Sequence, residues 1–195
     1  MSKDTLNSNL HNKIIYLIKN NLKSLVILSI VIVVILFGSI YYKNLYKSKI
    51  IKLSDNYTKS SILFKQNKII ESKILLEDII KAKHKFYSVL ALYFLIDNSV
   101  EPDSKKIITY FDQILDISSI DKESLNLIRI KKAIYLFDKK KDDEQLIITT
   151  LTPVINSKSV WRNIAINLIS DYFLSKDQKE KANDYIKLLN NTSVR

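Results

Sequence analysis

The chain lacks cysteine and is nearly free of glycine and proline. Among its 195 residues there are no cysteines, two prolines and one glycine, Gly38. Without cysteine there is neither a disulfide framework nor a thiolate metal site. Phosphate-binding loops, dinucleotide fingerprints and nucleophile elbows all need glycine where the backbone turns sharply or approaches a ligand. Because Gly38 lies inside a long apolar run, the sequence excludes these motifs.

Arginine is also scarce, although the chain is basic. The formal net charge is +11, but there are only three arginines, at positions 129, 162 and 195. The bidentate guanidinium contacts that read guanine bases are therefore nearly absent. Residues 1–52 hold eight lysines and one acidic residue, so most of the excess charge lies around the apolar run. This distribution predicts a basic collar on a membrane surface and no nucleic-acid partner.

The apolar run is the longest uncharged stretch of the sequence. Nineteen residues, Ser24 to Tyr42, carry no charged side chain. As a helix they would extend about 28 Å, close to the roughly 30 Å hydrocarbon core of a bilayer. The sequence therefore predicts a cytoplasmic N-terminal segment at 1–23, a transmembrane helix at 24–42 and a further domain at 43–195. Lysines and tyrosines at the ends of the run are expected to anchor it at the membrane interface: Lys19, Lys23, Tyr41, Tyr42 and Lys43.

A removable secretory signal is the alternative reading of this run. Such a signal has an apolar stretch of about 7–15 residues and a small-x-small cleavage site. Here the run is longer and leads directly into Lys43-Asn44-Leu45-Tyr46-Lys47, which contains no such site. Apolar residues cover all sides of the run, which also disfavours a core helix with one buried stripe. An uncleaved anchor is therefore expected.

No group of residues indicates catalysis. The two histidines, His11 and His84, lie on opposite sides of the apolar run and are expected to be solvated polar residues. The run Asp142-Asp143-Glu144 fits the first turn of a helix, where acidic side chains complement the dipole. Three further carboxylates share a predicted helix: Glu71, Glu77 and Asp78. We expect no catalytic residue, no cofactor and no metal site, and hence a protein that is not an enzyme.

Beyond Lys43 the apolar residues recur at helical spacing, which predicts an all-α domain. The expected helices are 45–64 (continuing the membrane helix), 69–80, 86–97, 102 or 103 to 115, 121–137, 142–152, 157 or 159 to 173, and 179–189. In the second, Ile70, Ile74 and Ile80 are expected to face inward. The helix 86–97 is apolar almost all round and should be the most buried. Pro153 is expected to end or kink the sixth.

These helices form four antiparallel pairs that resemble one another. The first helices carry late tyrosines spaced by 36, 42 and 37 residues: Tyr57, Tyr93, Tyr135 and Tyr172. The second helices carry late aliphatic residues spaced by 35, 40 and 35: Ile79, Ile114, Val154 and Leu189. Tetratricopeptide repeats have a period of about 34 residues, and Ser72, Ala182 and Pro153 fit that pattern, whereas its glycine is missing. A tetratricopeptide-like array is expected, with the tyrosines in its core; the alternative is an irregular helical bundle.

Several segments together resemble a known family. They are Ile18 to Leu25 leading into the membrane helix, Tyr41-Tyr42-Lys43 after it, Phe86 to Leu92, and the helix Trp161 to Phe173 followed by Lys181-Ala182. In this layout the chain is similar to the bacterial ancillary subunit of the Sec translocon, a membrane-anchored tetratricopeptide-like protein. The resemblance covers nearly the whole chain in architecture.

The resemblance implies a non-catalytic inner-membrane protein with a periplasmic repeat domain. Its partners would be export-channel subunits and periplasmic chaperones. The flanking charges point the other way, since four lysines precede the run and six lie within 43–65, which favours a cytoplasmic domain. Because the two flank counts are nearly even, we follow the resemblance, which implies a membrane-tethered adaptor that binds partner or client proteins near the export channel. The alternative is an envelope scaffold that self-associates into a homo-oligomer.

Overall fold

The computed structural model describes residues 21–139 and 143–190. Within these ranges the regular structure consists of eight α-helices and contains no strand. The helices are α1 Leu22–Lys65, α2 Ile69–Lys81, α3 Tyr87–Asp97, α4 Ser104–Leu115, α5 Lys122–Asp138, α6 Glu144–Ile155, α7 Arg162–Ser175 and α8 Lys179–Asn190. The predicted all-α class is therefore confirmed for the described part of the chain.

By its internal contacts the chain divides into two compact units, Met1–Lys52 and Leu53–Arg195. The predicted transmembrane segment 24–42 lies in the first unit and within α1. The most apolar 18-residue window of Val26–Lys65 has a mean hydropathy of 2.3, and none of it is buried. Within the described residues α1 is the one helix that is long and apolar enough to cross a membrane. The N-terminal segment 1–20, with Lys19 and His11, lies outside the described residues.

The second unit has two hydrophobic clusters that meet at α5. The first contains the fully buried side chains of α2, α3 and α4, and the second those of α6 and α7. In α5, Ile128 and Tyr135 belong to the first cluster, whereas Ile130 and Leu136 belong to the second. From α2 onward each helix packs on the next, and α2 also contacts α4, as α5 contacts α7. Because α5 buries two faces, it joins the clusters into one core.

Three connections between helices share the same turn. Asn67, Ser99 and Asp177 have left-handed backbones, with φ of 62°, 50° and 57°. The amide after each of them donates to a carbonyl five residues earlier, at 2.9 Å in every case: Lys68 to Leu63, Val100 to Leu95 and Gln178 to Phe173. These are Schellman motifs, which usually use glycine. The single glycine of the chain lies elsewhere, so Asn67, Ser99 and Asp177 occupy the left-handed position after α1, α3 and α7.

Small buried residues bring paired helices close together. Ser60 of α1 and Ser72 of α2 are completely buried, and the Ser72 hydroxyl donates to the Ser60 carbonyl at 2.8 Å. Between α7 and α8 the serine lies on the first helix instead: the Ser170 hydroxyl donates to the Ile166 carbonyl of its own helix at 2.8 Å and lies 3.4 Å from the Ala182 carbonyl of α8. Side chains this small allow the backbones of adjacent helices to approach. Ser72 and Ala182, expected at such positions from the repeat pattern, both lie there.

The tyrosine series does not mark equivalent positions in the pairs. Tyr57, Tyr93 and Tyr172 precede the left-handed residue of their own turn by ten, six and five residues. The nearly regular spacing of these tyrosines in the sequence therefore does not correspond to one repeated position in the helix pairs. Tyr135 and Tyr172 are buried and the other two are half-buried, so the expectation that the tyrosines contribute to the core holds in part.

The inward face predicted for α2 is wrong at two positions. Ile70 and Ile74 are 76% and 53% exposed, and only Ile80 of the three expected residues is buried. The helix buries Ser72, Leu76, Ile79 and Ile80. Ile70 and Ile74 each lie two residues, about 200°, from Ser72 around the helix. Because Ser72 packs against Ser60, both isoleucines are turned to the opposite side.

Pro153 does not end α6, which was one of the two outcomes expected for it. It lies inside Glu144–Ile155, two residues before the end. The next two side chains, Val154 and Ile155, are buried, and the Asn156 amide donates to the Thr152 carbonyl at 3.0 Å. A proline removes one amide donor and crowds the carbonyl four residues earlier. Burial of the last turn holds the helix together despite that cost.

Helix starts agree with the sequence where an aspartate caps them. Asp103 accepts from the Lys105 amide at 2.8 Å, Asp121 from the Ser124 amide at 2.9 Å, and Asp143 from the Leu146 amide at 2.9 Å. The predicted start of α6 at Asp142 lies outside the described residues.

The start of α7 differs from the expectation. The helix begins at Arg162, later than expected, because the Ser159 hydroxyl accepts from the Trp161 amide and orders the preceding turn. Phe86 lies before α3 and is 56% exposed, whereas 87–96 are all buried or half-buried.

Replacing Ser99 by glycine is expected to raise the free energy of unfolding by about 0.5–1 kcal/mol. At a φ of 50° the Cβ of Ser99 crowds its own backbone, and glycine has no Cβ. Urea denaturation of the full chain in detergent micelles, followed by circular dichroism, measures the change. Ser99→Ala keeps the Cβ and is the matched control. A less stable Ser99→Gly chain would contradict the strain inferred at this turn.

Candidate functional site

The predicted membrane-interface residues that the structure describes all lie on α1. Lys23 precedes the uncharged run, Tyr41 and Tyr42 are its last two residues and Lys43 follows it, so a basic side chain flanks each end and two tyrosines lie at the second end. Tyr41 and Tyr42 are 68% and 71% exposed. Amphipathic side chains at these places suit the boundary between hydrocarbon and headgroups. Lys19, the fifth predicted anchor, lies outside the described residues.

An apolar groove lies in the second unit, between the first halves of α3 and α5. Its volume is about 370 Å³, within the range of about 300–1,000 Å³ that is typical of ligand sites. Its walls are formed by aliphatic and aromatic side chains: Phe86, Val89, Leu90, Ile120, Leu127 and Ile128. Sequence reasoning missed this site, because its two walls come from separate segments of the chain, residues 85–93 and 119–128. The groove offers shape and apolar contact.

Two helix N-termini border the groove. At α5 the Asp121 carboxylate accepts from the Ser124 amide at 2.9 Å and from the Ser124 hydroxyl at 2.7 Å, and these bonds lower the pKa of Asp121. At α3 the His84 Nδ1 accepts from the amides of Phe86 and Tyr87, at 3.3 and 3.2 Å. His84, expected to be a solvated residue, therefore orders the start of a helix. The first turn of α3 contains no acidic side chain.

Two lysines accompany the groove. Lys85 is part of its lining, and the Lys131 Nζ lies 5.9 Å from the centre of the Tyr93 ring. Both side chains are exposed. In the part of the chain that the structure describes, neither of them forms an ion pair with a carboxylate. Lys85 and Lys131 thus place two positive charges beside apolar walls whose lining also includes the Asp121 carboxylate.

Tyr93 lines the same groove and holds a buried hydroxyl. Within residues 21–139 and 143–190 this hydroxyl oxygen has no hydrogen-bond partner. Burial, with a smaller effect from the nearby Asp97 carboxylate, raises the pKa of Tyr93 to about 12. By contrast, the Tyr110 hydroxyl donates to Glu77 Oε1 at 2.8 Å. Two tyrosines of one domain thus differ in whether their hydroxyl is satisfied.

Phenylalanine at these two positions is expected to have opposite effects. Tyr110→Phe removes a hydrogen bond and should lower the free energy of unfolding by about 1 kcal/mol. Tyr93→Phe removes a buried hydroxyl without a partner and should leave stability unchanged or raise it by about 1 kcal/mol. Thermal denaturation of the two full-length variants beside the wild type provides the comparison. Equal losses in both variants would show that the Tyr93 hydroxyl is bonded.

A buried carboxylate lies before α4. The side chain of Glu101 is 2% exposed, and its Oε2 lies 2.7 Å from Lys73 Nζ and 3.7 Å from Lys106 Nζ. Glu101 Oε1 accepts from the Asp103 amide at 2.9 Å. Burial alone would raise the pKa of Glu101, but the bonds from Lys73 and Asp103 and the two lysine charges together lower it. This group links α2 to the start of α4.

Four of the six carboxylates singled out in the sequence have structural partners, Asp142 lies outside the described residues, and Glu71 lies in the first turn of α2. Glu77 accepts from Tyr110, Asp78 pairs with Lys81 at 3.2 Å, and Asp143 caps α6. Glu144 pairs with Lys181 at 2.7 Å and so connects α6 with α8. Among the described residues no three His, Cys, Asp or Glu side chains are grouped to hold a metal ion.

Comparison with known proteins adds no relative to this description. No protein-family model, no curated protein and no solved structure matches the chain. Two features of the chain itself remain as the basis for assigning a role. They are the exposed apolar run of α1 and the apolar groove between α3 and α5.

Proposed function

We propose that this chain is a membrane-tethered, non-catalytic adaptor whose helical domain binds partner or client proteins near the Sec protein-export channel. The observation that carries the proposal is the apolar groove between α3 and α5, in a chain whose α1 exposes an uncharged run. A groove with apolar walls binds a protein segment by burying its side chains. Tethering raises the effective concentration of such a surface beside a membrane partner.

The proposal includes a tetratricopeptide-like array of four antiparallel helix pairs. The same Schellman turn within the first, second and fourth pairs supports it. The close contacts of Ser60 with Ser72 and of Ser170 with Ala182 support it as well. In such arrays each unit packs mainly on its neighbours, and the stack leaves an extended surface for partners.

The location and partners follow from the sequence resemblance. We place the chain in the bacterial inner membrane as a single-pass protein, with 1–23 in the cytoplasm and 43–195 in the periplasm. Export-channel subunits and periplasmic chaperones are its partners in this proposal. A reporter that is active on one side of the membrane only, fused after Arg195, tests the orientation. Activity of a cytoplasm-specific reporter would contradict it.

Photocrosslinking from the groove tests the adaptor role. A photoreactive amino acid replaces Leu127 in the full-length protein, which is irradiated in intact cells and analysed by mass spectrometry. Channel subunits or chaperones are expected among the captured proteins. The matched position is Lys105, which is exposed and outside the groove, and which should capture them less efficiently. Capture of lipid alone from Leu127, or equal capture from both positions, would contradict the proposal.

Self-association as an envelope scaffold is the second candidate. It is favoured by apolar side chains of α1 that remain exposed after the uncharged run: Leu45, Tyr46 and Ile51. Such side chains can pack against a second copy of the helix. Size measurement in mild detergent separates the two functions. A stable homo-oligomer that forms without other proteins favours the scaffold, and a monomer favours the adaptor.

A further inference from the structure

We infer that His84 makes the start of α3 sensitive to acid, together with the Phe86 wall of the groove. The first turn is ordered while the imidazole ring is neutral and loosens when the ring is protonated. The backbone amides of Phe86 and Tyr87 donate to His84 Nδ1 at 3.3 and 3.2 Å. A backbone amide only donates, so the ring nitrogen that faces both amides must hold a lone pair. The arrangement therefore requires neutral His84, with its proton on Nε2.

Protonation of His84 removes the acceptor from both amides. An imidazolium carries a proton on each ring nitrogen and accepts no hydrogen bond. If the ring keeps its orientation, an N–H group faces two N–H groups, and if the ring turns over, a carbon faces them. The rest of the connection does not use the ring, since the His84 amide donates to Ser88 Oγ at 2.9 Å and Ser88 Oγ donates to the Ile79 carbonyl at 2.8 Å. The loss is therefore confined to the first turn of α3.

The other charged groups around His84 belong to types that titrate outside the range of histidine. At the end of α2 and on the connection they are lysines: Lys81, Lys83 and Lys85. The first turn of α3 contributes Tyr87 and no acidic side chain. The acidic groups are Asp78 of α2, which pairs with Lys81 at 3.2 Å, and Asp121 at the start of α5, whose bonds from Ser124 lower its pKa. Carboxyl groups ordinarily titrate at about pH 4, and lysines and tyrosines at about pH 10. Between about pH 5.5 and 7.5 the imidazole is therefore the group that changes charge.

Phe86 transmits the loosening to the groove. Its side chain is 56% exposed and forms part of the groove wall. The centres of the Phe86 and Tyr87 rings lie 5.2 Å apart, and the centre of the His84 ring lies 5.4 Å from that of Tyr87. The two bonds fix the backbone that carries these rings, because each supplies an acceptor to an amide that has none within the helix. As the pH falls below the ordinary histidine pKa, the stability that these bonds contribute is lost and one wall of the groove becomes mobile.

The tautomer of His84 is the direct test, and it is independent of the adaptor role. The chain has two histidines, His11 and His84, so isotope-labelled histidine in the full-length protein in detergent micelles gives two imidazole rings in the NMR spectrum. The variant His11→Asn assigns them. At pH 7.5 the His84 ring is expected with its proton on Nε2 and with Nδ1 unprotonated. A ring protonated on Nδ1 at this pH would overturn the inference, because it accepts from neither amide.

Hydrogen exchange of the Phe86 and Tyr87 amides measures the loosening. Exchange rates are determined on the full-length protein in the same micelles at pH 7.5 and 5.5, and each is divided by the intrinsic rate at that pH. The protection of both amides is expected to fall about fivefold or more at pH 5.5, since each amide loses its hydrogen bond. The Ser124 amide at the start of α5 is the internal control. Its acceptor is the Asp121 carboxylate, whose pKa is lowered, so its protection should not change.

Asparagine in place of His84 locates the effect. An asparagine side chain also accepts from amides two or three residues ahead but does not titrate, so protection in His84→Asn should be the same at both pH values. The criterion is this change between pH values, whatever protection asparagine itself provides. The matched control, His11→Asn, removes the other histidine and should keep the fivefold change. A change that persists in His84→Asn, disappears in His11→Asn or is absent from the wild type would overturn the inference.

Discussion

A chain with lysines in place of Val33 and Leu36 is expected to be lost from the membrane fraction. Each lysine costs about 2.5–3.5 kcal/mol near the centre of a spanning helix, so the pair costs about 5–7 kcal/mol. Both positions are exposed in α1, in a window of which no part is buried, so no protein interior receives the charges. Ultracentrifugation of broken cells without detergent, followed by immunoblotting of pellet and supernatant, measures the distribution.

The matched control places the same charge on the same helix. Lysines at Tyr46 and Ile51 also occupy exposed positions of α1, but after the uncharged run. This chain is expected to stay in the pellet, because lysines beyond the hydrocarbon core reach the headgroups or water. If the chain with Val33→Lys and Leu36→Lys also stays in the pellet at the wild-type level, the run from Ser24 to Tyr42 is not the anchor.

Lys73→Met is expected to lower the free energy of unfolding by about 3 kcal/mol at neutral pH. It leaves the Glu101 carboxylate, 2% exposed, with Lys106 at 3.7 Å as its remaining ion-pair partner. Methionine keeps much of the apolar stem of lysine, so the decrease in the free energy of unfolding reports mainly on the missing ammonium charge. Urea denaturation of the full-length chain in detergent micelles measures the effect. The matched control is Lys81→Met, which breaks an exposed pair with Asp78 and should cost less than about 1 kcal/mol.

The pH dependence of this difference has a defined sign. In the wild type the folded pKa of Glu101 is lowered, so the pair stabilises the fold above the ordinary carboxyl pKa and is lost as pH falls through the lowered value. Without Lys73, burial favours the protonated carboxyl. The gap between wild type and Lys73→Met should therefore be largest at neutral pH and shrink as pH falls from the raised carboxyl pKa of the variant through the lowered pKa of the wild type. A gap that stays constant down to pH 3 would show that Glu101 is not its cause.

The sequence was sufficient where a local rule decides the structure. Asp121 in a capping position predicted the start of α5, because an Asp side chain bonds amides two or three residues ahead. For α4 the predicted first residue, Pro102 or Asp103, lies within two residues of the observed start at Ser104. The uncharged run gave the membrane-spanning candidate in α1. Apolar periodicity gave the existence and order of the helices beyond it, since a helix must bury one face.

The sequence was insufficient where contacts between distant residues decide. The inward face of α2 is set by Ser72 against Ser60, a contact between two small polar residues that hydrophobic patterning ignores. The groove combines residues of α3 and α5, so no single segment indicates it. His84 orders the start of α3 because its Nδ1 accepts from two backbone amides. Whether the Tyr93 hydroxyl has a hydrogen-bond partner depends on the groups packed around it.

The central claim is that residues 24–42 anchor the chain in the membrane and that the groove between α3 and α5 binds the partner proteins. One measurement tests both parts of this claim. Residues 24–42 are replaced by nineteen leucines, and photocrosslinking from Leu127 is repeated beside the chain with its native span. Because a leucine span of equal length keeps the tether, the account predicts the same captured partners, in amounts that agree within about twofold. Loss of these partners from a chain that remains in the membrane would contradict the account, since the side chains of the span would then carry the recognition.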